Sequence, residues 1–286
     1  MITLEQNGFV LEIVPEVGGA ITRFDWKGRP VMRPAPQGVT NPLDCCSFPL
    51  VPFANRIENG KLEFEGREYP LPLNFGDHPH SLHGHGWQTS WRVETVSRDR
   101  AVIAFDHAPD AWPWAYAAEQ EFVLADGGLR MRLTMRSRDD KPMPLSLGFH
   151  PYFPRNPGSR LTAQIDRMWL SDSTEIPTVL GEPRIDLPHG VVIAKAPFVD
   201  NCFTGFHPPA RIEQPEFGLE IALKASAQCP YFHVFIPNGT DYFCAEPTTA
   251  MPNAFNRPEA AGVTGARILS PAAGLSVEMA IAVRDL

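Results

Sequence analysis

No apolar run in the chain approaches the ~20 residues that a membrane-crossing helix needs, so a helical membrane span is excluded. The opening residues, MITLEQNGFVLEIVPE, have no basic head followed by an apolar stretch, and no secretory signal is expected there. Cysteine is scarce: Cys45, Cys46, Cys202, Cys229 and Cys244 are odd in number and irregularly spaced. A disulfide framework is therefore not expected; buried free thiols in a reducing compartment are, which points to the cytoplasm. Basic residues are outnumbered, 25 Lys and Arg against 33 Asp and Glu for a net charge of −8. They form no concentrated patch, so nucleic acid is not an expected partner. Amphipathic helical stretches, internal repeats and low-complexity tracts are missing as well.

What is present is β structure. Hydrophobic residues at 43% and charged ones at 20% describe a folded protein, and 30 prolines with 22 glycines imply many turns and few long helices. The readable period is two. Leu129, Met131, Leu133 and Met135 alternate with Arg130, Arg132, Thr134 and Arg136, a strand with one buried and one wet face. Glu119 to Leu124 reads as its partner, joined through a turn at Asp126-Gly127-Gly128. Further hairpins are expected around Gly66 (Leu62 and Phe64 before it, Tyr69 after) and around Ser97 to Arg100, between Val93–Val96 and Ala101–Phe105. Leu219 to Leu223, His233 to Ile236 and Leu275 to Val283 are other strand candidates. Turn signals about every 8–12 residues suit an all-β sandwich or barrel, and the period-two pattern without amphipathic helices leads us to expect a large antiparallel β-sandwich. No linker is visible, so residues 1–286 are expected to form a single domain.

Four segments break the strand pattern and gather ionisable groups among prolines and glycines: FPLVPFANRI (48–57), HPHSLHGHGW (78–87), LGFHPYF (147–153) and CAEPTTAMPNAFNR (244–257), with FVDNCF (198–203) a weaker fifth. Loops of this kind on a rigid β scaffold carry function. Each residue also has an ordinary reading: Arg56 as a surface ion pair, His150 as a structural histidine among aromatics, Glu246 as a solvated strand end. Glu246 follows the apolar run Tyr242-Phe243-Cys244-Ala245, however, and partial desolvation there would raise its pKa towards that of a useful base. His78, His80, His83 and His85 have a spacing compatible with metal ligation in a β-barrel isomerase. Such a site wants a carboxylate shortly after the His pair, and the one nearby, Asp77, precedes it. No metal is expected.

Taken in order, these segments resemble the aldose 1-epimerase (galactose mutarotase-like) family over nearly the whole chain. The likeness runs from PEVGGAITRFDWKGRPVMRP to LSPAAGLSVEMAIAV and is carried most specifically by PFANRIENGKLEFEG, SLHG, GFHPYF, VDNCF and AEPTTAMPNAF. It implies a galactose mutarotase-like supersandwich that interconverts the α and β anomers of a free aldose without a cofactor, as a monomer or homodimer. It also implies Glu246 as catalytic base and His150 as acid, with Asn55, Arg56, His83 and Asp200 on the sugar. Two features depart from the family's pattern. His233, within CPYFHVFIPNG, stands where a sugar-binding glutamine is usual, and the Leu-His-Gly motif continues directly as His-Gly-Trp. Both bear on the substrate rather than the reaction. Trp87 or Phe53 would offer an apolar face to the sugar ring. An anionic sugar, a phosphate or sulfonate, is the alternative substrate; it would need a further cation, for which Arg33, Arg56 and Arg257 are near enough in sequence.

Overall fold

The computed structural model describes residues 1–125 and 127–286, and its elements are almost all strands joined antiparallel. Among the described residues the one α-helix, Ala261–Thr264, is a single turn. Three sheets carry most of the chain. A four-stranded sheet is built from Ile2–Gln6, Phe9–Val14, Ala20–Trp26 and Arg29–Pro30. A nine-stranded sheet runs in the order Arg92–Val96, Arg100–His107, Tyr116–Ala125, Gly128–Ser137, Gly274–Asp285, Leu219–Ala225, His207–Gln214, Arg160–Gln164, Val191–Val192. An eight-stranded sheet places Val199–Phe203, Tyr231–Ile236 and Tyr242–Thr248 side by side near its centre.

The hairpins read from period two are present. In Gly128–Ser137, Leu129, Met131, Leu133 and Met135 are buried while Arg130, Arg132 and Arg136 are exposed, and the strand pairs with Tyr116–Ala125. Asp126, at the expected turn, lies outside the described residues. Lys61–Phe64 pairs with Arg67–Pro70, and Arg92–Val96 with Arg100–His107.

The eight-stranded sheet corrects the loop reading of two segments. Residues 199–203 of FVDNCF and residues 244–248 of CAEPTT lie inside strands, not loops. Both faces of these strands are covered, so polar residues do not alternate with apolar ones and the usual half-wet signature is missing. One face enters the main core: Val199 and Phe203, then Phe232, Val234 and Ile236, then Phe243 and Ala245 join the same hydrophobic cluster as Leu129, Met131, Val277 and Met279 of the nine-stranded sheet. Because side chains alternate across a strand, the opposite face presents Asp200, His233 and Glu246. Their strands are in register, with His233 directly opposite both Glu246 and Cys202. The alternation that fills the core is thus what lines up the polar face.

Candidate active site

That polar face is the floor of a cavity of about 200 Å³, lined by Asn55, Arg56, His78, His83, His150, Asp200, His233 and Glu246 together with Leu43, Phe75, Leu82, Tyr152, Phe235 and Tyr242. Segments as far apart in sequence as Leu43 and Glu246, 203 residues, meet there.

Two left-handed turns deliver Arg56 and His83. Asn55 (φ 60°) and His83 (φ 58°) both occupy a region that non-glycine residues seldom enter, and each holds the other there. The His83 amide donates to the Asn55 carbonyl at 2.7 Å, and the Asn55 amide donates to His83 Nδ1 at 3.2 Å. Since Nδ1 accepts, the proton of the neutral ring sits on Nε2. Burial, and then the neighbouring His150, hold His83 well below the usual imidazole value, so it remains this neutral donor. Gly84 follows with φ 70°; a Cβ there would lie 2.3 Å from the Val51 carbonyl oxygen. Asn253, from the PNAF motif and itself at φ 57°, donates its amide to the Arg56 carbonyl at 2.7 Å and accepts from the Glu58 amide. The clustering of strained backbone at one site is common where geometry serves function.

His150 is fixed by stacking. Its ring packs against both Phe48 (4.6 Å between centroids, 28°) and Tyr152 (4.7 Å, 23°), with His83 edge-on at 5.1 Å, and its amide donates to the Phe48 carbonyl at 3.1 Å. Trp87 is 2% exposed and outside the cleft; it stacks on Phe48 at 5.5 Å and supports His83 from behind. Phe53 lines a separate cavity with Trp112.

Glu246 and His150 meet at 3.4 Å, Oε1 to Nε2, and both are buried. Glu246 Oε2 and His150 Nδ1 have no hydrogen-bond partner among the described residues, although unpaired buried polar atoms are costly. Burial, reinforced by the Asp200 charge and opposed by Arg56, pushes the Glu246 carboxyl well above the usual carboxylate range. Burial first, then His233, lowers His150 to about 3. The same dry environment therefore favours the neutral form of each, the carboxyl holding its proton more tightly and the imidazole less.

Arg56 and Asp200 form a buried two-pronged pair, Nη1 to Oδ1 at 3.0 Å and Nη2 to Oδ2 at 2.7 Å. Burial alone would raise Asp200, but Arg56 and His233 outweigh it and keep the carboxylate charged. Arg56, raised by Asp200 against its own burial, stays a cation.

The four histidines of residues 78–85 disperse. His80 accepts from the Asn59 amide (3.0 Å) and donates to the Thr174 carbonyl (3.1 Å), and His85 bonds the Tyr116 hydroxyl at 2.6 Å. His78 lines the cleft. The grouping tight enough for a metal among the described residues is instead His150, Cys244 and Glu246, with ligand atoms within 4.8 Å of one another. Burial holds the Cys244 thiol well above its ordinary pKa, whereas metal binding requires thiolate. Sequence reasoning passed over Cys244, Tyr152 and Tyr242; the first and last share a strand face with Glu246 at intervals of two, which was the available signal.

Comparison with known proteins identifies the family and the fold. The aldose 1-epimerase family profile matches residues 1–281. An uncharacterised Escherichia coli K12 protein, YphB, is 31% identical over 297 aligned positions, covering 99% of each chain. A solved structure of a candidate aldose 1-epimerase from Escherichia coli K12 superposes with a TM-score of 0.90 at 30% identity, over 99% of this chain and 98% of that one. A galactose mutarotase-like protein from Clostridium acetobutylicum shares the fold at a TM-score of 0.87 and 22% identity, over 99% and 95% of the two chains. With a family match spanning nearly its whole length and a 31% identical relative of the same extent, this chain belongs to the aldose 1-epimerase family of isomerases.

Proposed function

We propose that the protein is a mutarotase acting on a neutral free aldose, with Glu246 and His150 as its acid–base pair. The observation that carries this reading is their 3.4 Å contact at the floor of a cleft in a family of aldose epimerases. Mutarotation opens the hemiacetal, lets the aldehyde turn about C1–C2, and closes the ring on the other face of C1. Opening removes the proton from O1 and adds one to the ring oxygen. Both oxygens are attached to C1, so the acid and the base must be close neighbours, as Glu246 and His150 are. In the forward sense ionised Glu246 takes the O1 proton while protonated His150 gives its own to the ring oxygen, leaving Glu246 protonated and His150 neutral. Reclosure returns both protons, and no proton is exchanged with solvent. The mirror assignment, with the proton starting on Glu246, is equally balanced and is the resting form that burial favours in the empty cleft. Each well-placed group contributes about 10²–10⁴-fold.

His83 Nε2–H and Arg56 would donate to sugar oxygens, and Asp200 would accept from a hydroxyl. The orphaned Glu246 Oε2 and His150 Nδ1 are available to a ligand. The aromatic side chains of Tyr152, Phe235 and Tyr242 would meet the C–H faces of the ring.

A neutral sugar is supported over an anionic one because each of the three arginines already holds acceptors of the protein, with only Arg33 Nε and Arg56 Nε unpartnered among their buried nitrogens in the described residues. Arg56 is paired with Asp200. Arg33 is packed between Tyr152 and Tyr242 (4.2 and 4.5 Å) and donates to the Leu43 and Cys45 carbonyls. Arg257 donates to the Pro177 and Thr178 carbonyls and pairs with Glu259. We also take the chain to act as one domain, since Gly274–Asp285 sits between Gly128–Ser137 and Leu219–Ala225 and so ties both halves together. Five free, buried cysteines suit a reducing compartment such as the cytoplasm. Anomer-exchange NMR across neutral, phosphorylated and sulfonated aldoses tests the substrate class: turnover confined to neutral sugars is expected, and preference for an anionic sugar would overturn it.

A further inference from the structure

His233 stands at the sugar cleft, yet both of its nitrogens face protein. Asn55, Arg56, Asp200 and His233 are all buried and joined in a closed circuit. Arg56 Nη1 lies 3.2 Å from Asn55 Oδ1, Asn55 Nδ2 lies 3.2 Å from His233 Nδ1, and His233 Nε2 lies 2.8 Å from Asp200 Oδ1. Asp200 closes the circuit by receiving both terminal nitrogens of Arg56.

The chemistry leaves one assignment of protons. Arginine only donates, so the Asn55 atom facing it is the carbonyl oxygen, which fixes the amide. The Asn55 NH₂ group therefore points at His233 and can only donate, so Nδ1 is the unprotonated nitrogen. The proton of neutral His233 is then on Nε2, aimed at a carboxylate that accepts. In each contact of the circuit a donor faces an acceptor, with Arg56 Nε left outside it and unpartnered among the described residues, and a buried network joined in this way favours one geometry.

We propose that His233 is a positioning residue: as the Nε2–H tautomer it locks Asp200 and Asn55, and through them Arg56, while offering the sugar only its carbon edge and ring face. The proposal rests on the mutarotase reading for its kinetic consequences but not for the tautomer. A sugar oxygen beside residue 233 gains no hydrogen bond from it, and binding strength there comes indirectly, through the orientation of Arg56 and Asp200.

The test has two arms. In the wild-type protein, ¹⁵N NMR of the histidine side chains at neutral pH is expected to show His233 with unprotonated Nδ1 and protonated Nε2. In Asn55→Asp the new carboxylate can only accept, so Nδ1 of His233 is expected to become protonated; a residue present merely for packing would not respond. In the kinetic arm, His233→Phe keeps an aromatic ring but removes both bonds, and kcat/KM is expected to fall about 10–100-fold, chiefly through KM, as for other groups that orient ligand-binding residues. His233→Gln, which can still donate and accept, is expected to recover most of that loss. A protonated Nδ1 in the wild type, or a folded His233→Phe protein with unchanged KM, would overturn the proposal. Absence of turnover on every aldose would count against the mutarotase reading alone, because the NMR arm requires no activity.

Discussion

At the scale of single residues, the acid–base pair is defined by burial acting in opposite senses on a carboxyl and an imidazole. Glu246 is raised and His150 lowered to about 3, so the one-proton state of the pair spans the whole interval between them. The second proton is added only far below the ordinary imidazole value of about 6.5, and the last is lost only above the ordinary carboxylate range. The profile of kcat/KM against pH is therefore expected to show no acid limb near pH 6.5; activity that falls by half as pH drops through that value would contradict the assignment. The sign for stability follows from linkage. Glu246 has a folded pKa above its unfolded one, so its contribution is fully present below the unfolded value and is lost as pH rises through the folded value. Urea titrations of Glu246→Gln, which has no charge to bury, should show its stability relative to wild type improving as pH rises. Asp200→Asn is different. It strands Arg56 as a buried, half-paired cation, and breaking such a pair costs about 3–5 kcal/mol, so both sugar affinity and folding stability should fall.

At the scale of elements, the site is held by turns and neighbouring strands more than by any one residue. Gly84→Ala would place a Cβ at φ 70° against the Val51 carbonyl, and the turn that holds His83 Nδ1 on the Asn55 amide would shift. A stability loss of more than about 1 kcal/mol together with a raised KM is expected, measured by urea melts and anomer exchange. His80 anchors the loop after Phe75 to Asn59 and Thr174. Its replacement by Ala should cost about 1–3 kcal/mol while the folded fraction keeps its turnover, so a role for this histidine in chemistry is tested by activity per folded molecule. The sequence displayed the nine-stranded sheet well, because Gly128–Ser137 and its neighbours have one wet face and show period two plainly. It concealed the central strands of the eight-stranded sheet. Val199–Phe203 and Tyr242–Thr248 are covered on both sides, and Asp200, Pro247 and Glu246 within them read as loop residues. The same motifs nonetheless named most of the cleft. Trp87 was misjudged because an aromatic beside His83 in sequence packs behind it in space, and the circuit through His233 depends on long-range pairing that no local pattern carries.

At the scale of the whole molecule, the sandwich brings together groups that the chain scatters, and it does so with hydrophobic energy spent on the opposite faces of the same strands. The chemistry assigned here needs no metal, so turnover should survive exhaustive chelation with elemental analysis as the control; loss of activity with a stoichiometric metal, restored on its return, would shift the mechanism to the His150–Cys244–Glu246 trio. His150→Asn should damage catalysis about as much as loss of Glu246, and the two losses should be less than additive because both groups serve one proton transfer. The most direct test is the rate of anomer interconversion by exchange NMR in Glu246→Gln, corrected for the spontaneous reaction, with circular dichroism as the folding control. The substitution keeps shape and most hydrogen bonds but removes the base, and a fall on the order of 10²–10⁴-fold, about 3–5 kcal/mol of transition-state stabilisation, is expected with sugar binding retained. A folded Glu246→Gln protein that turns over a good substrate at nearly the wild-type rate would contradict the account.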